Sequence, residues 1–223
     1  MTHEGTRNPM ALVIPAFNEA ATIASVIAWA REFGQVIVVD DASRDATSDL
    51  AARAGAQVLR SATNRGYEAS LAAGFEAARA IGARYCVTLD ADGQHPREAV
   101  AAVCEGLRGG ADMVVGVRDR RQRLAEHVAA GCSRLLWGIA DPFSGLKGYR
   151  LESFDAREPF DRHRMVGTEL LARCLRRKGR VLQVPISTRE RLDAPRFGSS
   201  LRANLRLLRA LAWMVLVYAG IPS

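Results

Sequence analysis

The chain of 223 residues has few of the features that mark secreted or membrane-spanning proteins. Its four cysteines are widely spaced and form no C-x-x-C pair, which argues against a zinc site or a disulfide framework and fits a reducing compartment. No run reaches the roughly 20 apolar residues that a spanning helix needs, and residues 1–9 lack the apolar core of a signal peptide. We therefore expect a cytoplasmic protein without a transmembrane helix. The cysteines are Cys86, Cys104, Cys132 and Cys174.

Lysine is also scarce, with only Lys147 and Lys178, so arginine carries nearly all of the positive charge. The net charge of +7 is uneven. Residues 1–116 hold 10 Lys and Arg against 14 Asp and Glu, whereas residues 117–223 hold 21 against 10. Because the second half is so basic, it is expected to meet an anionic partner: a phosphate, a nucleic acid or an anionic lipid surface.

Short apolar runs alternate with alanine-rich helical stretches along the first half. Strict alternation of this kind, with strands that are apolar throughout, predicts a parallel sheet covered by helices on both faces. The predicted strands are 10–15, 36–40, 57–60, 84–89, 112–117 and 181–186. The predicted helices are 19–33, 46–54, 67–81, 97–107, 127–139 and 168–177.

The segment 87–95 ends an apolar run in two carboxylates, Asp90 and Asp92, followed by Gly, Gln and His. Residues i and i+2 of an extended segment share a face, so both carboxylates can point into one cleft. Two close carboxylates repel unless a cation lies between them, and hard oxygen ligands suit Mg²⁺ or Mn²⁺. Asp and Gly also punctuate ordinary strand ends, so an isolated D-x-D is a weak signal.

A second acidic pair, Asp40 and Asp41, follows the second predicted strand. Open α/β sheets bind ligands at the carboxyl ends of their strands. Two acidic strand ends at one edge of the sheet therefore favour a site for a nucleotide and a metal ion.

The C-terminal segment 201–223 is predicted to be an amphipathic helix. Arginines recur at i, i+4 and i+7 on one side, leucines line another, and residues 210–221 are uncharged. Such a helix either lies in a membrane interface or packs on protein, and the pattern leaves both open. The arginines are Arg202, Arg206 and Arg209, and the leucines are Leu201, Leu205 and Leu208.

Eight short motifs occur in a fixed order along residues 10–200. They are 15–19 (PAFNE), 39–47 (VDDASRDAT), 64–66 (NRG), 90–95 (DADGQH), 116–118 (GVR), 141–150 (DPFSGLKGYR), 169–171 (ELL) and 184–186 (VPI). Together they resemble the family-2 glycosyltransferases, and most of all the branch of dolichol-phosphate mannose synthase and the bacterial polyprenyl-phosphate glycosyltransferases.

The resemblance implies an α/β GT-A fold with a mostly parallel, Rossmann-like sheet. It divides the chain into a GT-A domain, 1–200, and the C-terminal helix, 201–223. Within the domain, 10–117 would bind the nucleotide sugar and 118–200 the acceptor.

The resemblance also implies roles for particular residues. Asp90, Asp92 and Gln94 match the metal and diphosphate ligands, with Ala91 beside the donor. Arg118 matches a residue that meets the acceptor phosphate, and Arg134 is a second candidate. Asp90, Asp92 and Arg118 are therefore the predicted catalytic residues. The residues that would cradle the nucleoside are Pro15, Phe17, Glu19, Val39 and Asp41.

The implied reaction is the metal-dependent, inverting transfer of one sugar from a nucleoside-diphosphate sugar to polyprenyl phosphate. A phosphate is already a nucleophile at neutral pH, whereas a hydroxyl acceptor needs a base. The Glu-Asp pair of relatives that act on sugar hydroxyls is absent, as is the Q-x-x-R-W motif of processive synthases. Both absences favour a phosphate acceptor.

Several alternatives stay open. One is a transferase with a hydroxyl acceptor, for which Glu169 or Asp141 is the candidate base, and another is a silent nucleotide-binding scaffold. The sequence does not separate GDP-mannose, UDP-glucose and UDP-N-acetylglucosamine as donors. We expect peripheral contact with the inner face of the membrane and no nucleic-acid partner, and a homodimer is possible.

Two segments depart from the family pattern. Many relatives continue N-x-G with Lys-Gly, whereas Tyr67 and Glu68 follow here. The late R-x-x-G-x-S-K motif is only approximated by residues 191–201, where Arg202 stands in place of the lysine.

Overall fold

A seven-stranded sheet forms the centre of the computed structural model, which describes residues 10–119, 124–155, 160–161, 167–187 and 201–220. The strands are β1 (Met10–Ala16), β2 (Gln35–Asp40), β3 (Gln57–Arg60), β4 (Tyr85–Thr88), β5 (Met113–Arg118), β6 (Lys147–Arg150) and β7 (Val181–Ile186). The helices are α1 (Ile23–Ala30), α2 (Thr47–Arg53), α3 (Tyr67–Ala80), α4 (Arg97–Arg108), α5 (Leu124–Trp137), α6 (Glu169–Arg176) and α7 (Leu201–Ala219), and a 3₁₀ turn spans Leu151–Ser153.

The strand order is β3-β2-β1-β4-β6-β5-β7, and β6 alone runs antiparallel to its neighbours. The predicted mostly parallel sheet is thereby confirmed, but β6 was not predicted. Its four residues, Lys-Gly-Tyr-Arg, show no apolar alternation that would mark a strand. Gly148 fits because a Cβ there would lie 2.7 Å from Val103 and 2.9 Å from Leu107 of α4.

Helices cover both faces of the sheet, as predicted. Along β1, Ala11 and Val13 face the core beneath α3, α5, α6 and α7, while Leu12 and Ile14 face the core beneath α1, α2 and α4. This alternation follows from the two-residue period of a strand. Since both faces are covered, β1 is apolar at every position, which is typical of a central parallel strand.

The pairing between β1 and β4 ends near Pro15, just before the acidic motif begins. β1 pairs with β4 only as far as Val13 and Thr88, with one further bond from Leu89 N–H to the Val13 carbonyl. Proline has no N–H to continue this ladder, whereas β1 stays paired with β2 as far as Ala16. The chain therefore leaves the sheet just before Asp90.

The first helix is shorter than predicted, because residues 19–22 form turns before α1 begins. Asn18 has a left-handed backbone, with φ of 53°, and its N–H is bonded to the Ser43 hydroxyl. The Glu19 N–H is bonded to the Thr47 hydroxyl at 2.8 Å. These bonds tie the turn to the loop after β2 and delay the helix.

The C-terminal helix α7 packs on α5 and α6. Leu207, Ala210 and Met214 are buried in the core, and the rings of Tyr218 and Trp137 lie 5.4 Å apart. In the part of the chain that the structure describes, no helix is long and apolar enough to cross a membrane. Some residues of the predicted acceptor half, 118–200, lie outside the described residues, among them 120–123 and 188–200, which include most of the late motif. The side chain of Arg202 also lies outside them.

Candidate active site

The acidic motif lies in the turn after β4 rather than on the strand itself. Asp90 follows the last paired residues, and Asp92 is in a tight turn where its Oδ1 accepts the Gln94 N–H at 3.0 Å. The turn continues into α4 through His95 and Pro96. The prediction that an extended strand positions both carboxylates was therefore wrong, because Asp92 lies in a turn.

Asp90 is held from several sides. The Tyr67 hydroxyl donates to Oδ1 at 3.0 Å, and His95 Nε2 lies 3.1 Å from Oδ2. A Cβ on Gly145 would lie 2.5 Å from Oδ2, so glycine is required for the backbone to come this close. Burial acts to raise the pKa of Asp90, but the contacts with His95 and Tyr67 and the charge of Arg118 outweigh it. The pKa therefore lies below its ordinary value, which favours the carboxylate.

The donor set fits a hard cation shared with a ligand. Within the described residues, no three His, Cys, Asp or Glu side chains are grouped to hold a metal ion. Mg²⁺ is typically bound through one or two carboxylates together with substrate phosphates, and not by a cage made of protein alone. Asp90 and Asp92, with the Gln94 amide, match such an incomplete set.

Asp41 anchors the loop that precedes α3. Its two carboxylate oxygens accept the N–H groups of Arg65 and Gly66, both at 2.7 Å. A hollow of about 410 Å³, lined by Ala42, Arg60, Ser61 and Ala62, opens next to it. Asp41 thus has a structural role in the free protein, and its contact with a nucleoside stays a prediction.

The other predicted nucleoside residues lie around the ends of β1 and β2. Glu19 is buried and its Oε2 lies 3.4 Å from the Thr22 hydroxyl, while Phe17 is half-buried. Val39 and Ala91 are buried in the two cores, so a ligand would meet them through their backbone. None of these roles is tested by the geometry, and they stay predictions.

Arg118, at the end of β5, forms a bidentate ion pair with Asp141. Its Nε and Nη2 lie 2.7 and 3.0 Å from the two carboxylate oxygens, and Glu126 is 3.7 Å away. Burial acts to lower the pKa of Arg118, but the bonds with Asp141 outweigh it. The side chain of Arg118 keeps a fifth of its surface exposed, and its charge acts on Asp90. Arg134, by contrast, is exposed on α5.

Lys147 is a buried cation that the sequence reasoning did not select. It lies on β6 in register with Thr88 of β4 and Val115 of β5, and only 2% of it is exposed. Burial lowers its pKa to about 8, against the charge of Asp141. Lys147 therefore lies between the strand that leads to Asp90 and the strand that ends at Arg118.

The two candidate bases are both engaged with arginines. Asp141 is buried beneath Arg118, and Glu169, only 1% exposed, pairs with Arg173 one helical turn later on α6. A general base must reach the acceptor hydroxyl within hydrogen-bond distance. Neither carboxylate is free to do so in this arrangement.

Sequence reasoning missed three residues that surround Asp90: Tyr67, His95 and Gly145. His95 was within the quoted motif, and Tyr67 was noted only as a departure from the family. The close approach of Gly145 depends on β6, which was not predicted. Only the S-G dipeptide of segment 141–150 offered a signal for it.

Comparison with known proteins identifies the family of this chain. Residues 11–129 match the family described as glycosyl transferase family 2. An undecaprenyl-phosphate 4-deoxy-4-formamido-L-arabinose transferase of Pseudomonas paraeruginosa is 35% identical over 51% of this chain and 36% of its own length. A polyprenol monophosphomannose synthase of Mycolicibacterium smegmatis is 26% identical over 81% of this chain and 77% of its own.

Among the curated relatives is also MJ1222, an uncharacterized protein of Methanocaldococcus jannaschii. It is 35% identical over 52% of this chain and 49% of its own length. The chain thus spans half or less of the length of this protein and of the Pseudomonas transferase.

Solved structures share the fold. Glucosyl-3-phosphoglycerate synthase of Mycobacterium tuberculosis, in complex with Mg²⁺ and UDP, superposes with a TM-score of 0.76 at 25% identity. The superposition covers 96% of this chain and 80% of that one. The same synthase has been solved with Mn²⁺ and UDP-glucose. The predicted GT-A fold is confirmed, and because the family match covers more than half of the residues, this chain belongs to glycosyl transferase family 2.

Proposed function

We propose that this protein is an inverting glycosyltransferase that moves one sugar from a nucleoside-diphosphate sugar to a polyprenyl phosphate. The observation that carries the proposal is the pairing of two unlike sites on adjacent parts of the sheet. The acidic turn at Asp90 and Asp92 suits the donor, and the Arg118 guanidinium at the end of β5 suits a phosphate.

The arginine favours a phosphate acceptor. The bidentate bond of Nε and Nη2 with Asp141 fixes the plane of the guanidinium before a ligand arrives, and the remaining N–H groups of the planar group suit phosphate oxygens. A preorganised donor loses less entropy when it binds. The polyprenol monophosphomannose synthase, whose match covers four-fifths of this chain, supports the same acceptor class.

The buried state of the candidate bases supports the proposal further. A phosphate oxygen needs no deprotonation at neutral pH, so positioning and charge stabilisation are sufficient. When bound by Asp90, Asp92 and Gln94, Mg²⁺ or Mn²⁺ would neutralise the charge that builds on the departing nucleoside diphosphate. Tyr67 and His95 hold Asp90 in place for that task.

A second candidate is transfer to a small acceptor through a hydroxyl. The solved structure with Mg²⁺ and UDP is a glucosyl-3-phosphoglycerate synthase, and its match covers nearly all of this chain. In that case Asp141 would have to leave Arg118, or Glu169 would have to leave Arg173, to serve as the base.

The test is incubation with Mn²⁺ or Mg²⁺, a panel of UDP- and GDP-sugars and, as competing acceptors, a short polyprenyl phosphate and phosphoglycerate, with detection by mass spectrometry. A metal-dependent lipid product carrying one sugar is expected, and it names the donor. Transfer to phosphoglycerate, with no lipid product, would establish the second candidate. Neither product with any donor would favour a silent scaffold. The same assay with Asp92→Asn tests the acidic turn, and Asp49→Asn, which changes an exposed carboxylate on α2, is its matched control.

We also infer that α5 and α7 contact an anionic membrane surface. Leu135 is 87% exposed and Leu136 is 55% exposed on α5, and Leu205 and Leu208 are exposed on α7, which packs beside it. Arg134 and Arg209 are exposed on the same two helices. Exposed leucines beside arginines suit the boundary between lipid headgroups and acyl chains.

Point variants test this contact better than truncation. Deletion of residues 203–223 would remove buried Leu207, Ala210 and Met214 and so open the core. Leu135→Glu should instead abolish binding to phosphatidylglycerol vesicles without changing the melting temperature. Leu182→Glu, on β7, is the control and should leave binding intact. Equal binding by both variants would contradict the membrane contact.

A further inference from the structure

The start of α3 joins three parts of the molecule. Asp41 binds the N–H groups of Arg65 and Gly66 just before the helix begins. Tyr67, the first helical residue, bonds Asp90, and Glu68, the second, forms an ion pair with Arg206 of α7. One helical turn thus contacts the loop after β2, the acidic turn after β4 and the C-terminal helix.

Tyr67 and Glu68 are the two residues that depart from the Lys-Gly common in relatives. Glu68 is buried, with 8% of its side chain exposed, so its charge requires a partner. Arg206 is that partner, although it comes from a helix 138 positions later in the chain. The ring of Tyr67 packs against the core shared by α3, α6 and α7. The departure is therefore built into the packing and is not a solvated surface variation.

We propose that Tyr67 is a positioning residue for Asp90, and that the Glu68–Arg206 ion pair makes α7 part of the same support. The inference rests on the proposed donor site, because it assigns a role to Asp90 in binding a metal–nucleotide complex. The Tyr67 hydroxyl and His95 Nε2 each hold one oxygen of the Asp90 carboxylate. The plane of the carboxylate is thereby fixed before the ligand binds.

The hydroxyl can only support Asp90 as a hydrogen-bond donor. A phenol is protonated at neutral pH, and the Tyr67 hydroxyl lies 3.0 Å from Oδ1 of a carboxylate, which only accepts hydrogen bonds. Groups that orient a metal ligand in this way typically contribute about 10- to 100-fold to metal affinity or activity. Arg206 acts one step further away, through the backbone that Glu68 and Tyr67 share.

Tyr67→Phe tests the first link, because it removes the hydroxyl and keeps the ring. Calorimetry should show affinity for Mn²⁺·UDP or Mn²⁺·GDP, whichever the wild type binds, falling about tenfold. Affinity for the same nucleotide without metal, and the melting temperature, should be unchanged. Unchanged affinity for the metal complex would overturn the role of Tyr67. A drop shared equally by the metal-free nucleotide would overturn it too.

Arg206→Ala tests the second link, with Arg209→Ala as the matched control on the exposed side of the same helix. Hydrogen exchange of the Gly66–Ser70 amides should accelerate in Arg206→Ala and not in Arg209→Ala. Affinity for the metal–nucleotide complex should fall in Arg206→Ala and recover partly in Arg206→Lys. Equal exchange and equal affinity in the two alanine variants would overturn the role of α7.

The double variant separates a chain of contacts from two independent effects. If Arg206 acts through Tyr67, adding Arg206→Ala to Tyr67→Phe should lower metal–nucleotide affinity by less than about twofold more, because coupled residues are not additive. Full additivity would contradict the chain. Failure of the proposed function alone would give a different result. The wild type would then bind the metal–nucleotide complex and the variants would weaken that binding, but no polyprenyl phosphate would be glycosylated. Wild-type protein that binds neither complex would overturn both proposals.

Discussion

The two halves of the sheet differ in how they hold several of their polar residues, although Asp40 and Glu68 of the first half also pair with arginines. In the first half, carboxylates and hydroxyls bind backbone N–H groups: Asp41 binds Arg65 and Gly66, and the Thr47 hydroxyl binds Glu19. In the second half, buried carboxylates bind arginines, as in the Arg118–Asp141 and Arg173–Glu169 pairs. Hydrogen bonds to the backbone fix the shape of a loop, whereas a buried ion pair fixes the position of a charged side chain.

This difference suits two unlike ligands. A nucleotide presents many groups that require a shaped loop, whereas a phosphate requires positive charge in a fixed direction. The surfaces differ in the same sense, because the most exposed leucines lie on α5 and α7 of the second half. In our proposal, the first half forms the donor pocket and the second half forms the acceptor site on the side of the molecule that faces lipid.

The largest effect is expected from a substitution in the proposed donor site of the first half. Asp92→Asn removes one carboxylate charge but keeps the shape of the side chain. We expect kcat/KM to fall by about a thousandfold, or about 4 kcal/mol, as for other groups that stabilise charge in a transition state. Steady-state kinetics with the identified donor measures it. Activity within a few-fold of Asp49→Asn would show that the acidic turn is not the metal site.

A close contact between the halves gives the next effect. Gly145→Ala would place a Cβ 2.5 Å from Oδ2 of Asp90 and push the carboxylate away from Tyr67 and His95. We expect activity to fall about a hundredfold, because a shift of about 1 Å at a catalytic group can cost that much. Kinetics and thermal melting measured together separate this from unfolding.

Gly131→Ala is the matched control in the second half. Gly131 lies within α5, and a Cβ there meets no atom within 4 Å. Alanine in a helix interior should raise the free energy of unfolding by about 0.5–1 kcal/mol and leave activity unchanged. Similar losses of activity in both variants would mean that the contact at Asp90 is not special.

The sequence allowed the first half to be predicted well because its structure is local. Alternating apolar runs and helical stretches placed β1 to β5 to within two residues, and the strand ends located both acidic pairs. The second half depends on contacts between distant residues. β6 has no apolar period, Lys147 is buried only because that strand inserts between β4 and β5, and Arg206 meets Glu68 only after α7 docks. Hydrophobic periodicity carries no information on such pairs.

The acceptor side can be weakened without disturbing the donor side. Arg118→Lys keeps the charge but loses the planar guanidinium, which binds Asp141 through Nε and Nη2 and, in our proposal, the phosphate through its remaining N–H groups. The KM for polyprenyl phosphate should rise about tenfold, which corresponds to about 1.4 kcal/mol, while affinity for the metal–nucleotide complex is unchanged. Arg53→Lys, at an exposed position on α2, should change neither value. A rise in donor KM alone would move Arg118 to the donor side.

Lys147 gives a smaller effect that depends on pH. Burial lowers its pKa from 10.5 to about 8, so between these values the unfolded chain binds more protons than the folded chain. The stability of the wild type should therefore rise with pH in this window, by about 1 kcal/mol per pH unit relative to Lys147→Met. Urea unfolding of both proteins measures it, and exposed Lys178→Met is the control. Parallel curves for wild type and Lys147→Met would contradict a buried, destabilised ammonium group.

The smallest expected effect is the chemical modification of one cysteine, which should change neither the fold nor the activity. Burial raises the pKa of Cys104 to about 11 and that of Cys174 to about 12, and it raises the pKa of Cys86 further. Cys132 alone among the four is exposed, on the α5 face that carries Leu135. Because the thiolate is the reactive form, one thiol per chain should react with a maleimide at neutral pH, and all four should react after unfolding.

The reaction of Cys132 with a maleimide also tests whether α5 contacts lipid. If α5 lies against lipid, phosphatidylglycerol vesicles should slow the modification of Cys132 in the wild type and not in Leu135→Glu. Neutral phosphatidylcholine vesicles should protect it less, since the arginines on these helices then find no anionic headgroups. Protection that is equal in both variants would show that vesicles shield Cys132 without contact at Leu135. In that case the exposed leucines need another partner, and the acceptor site would have to meet its lipid by a different face.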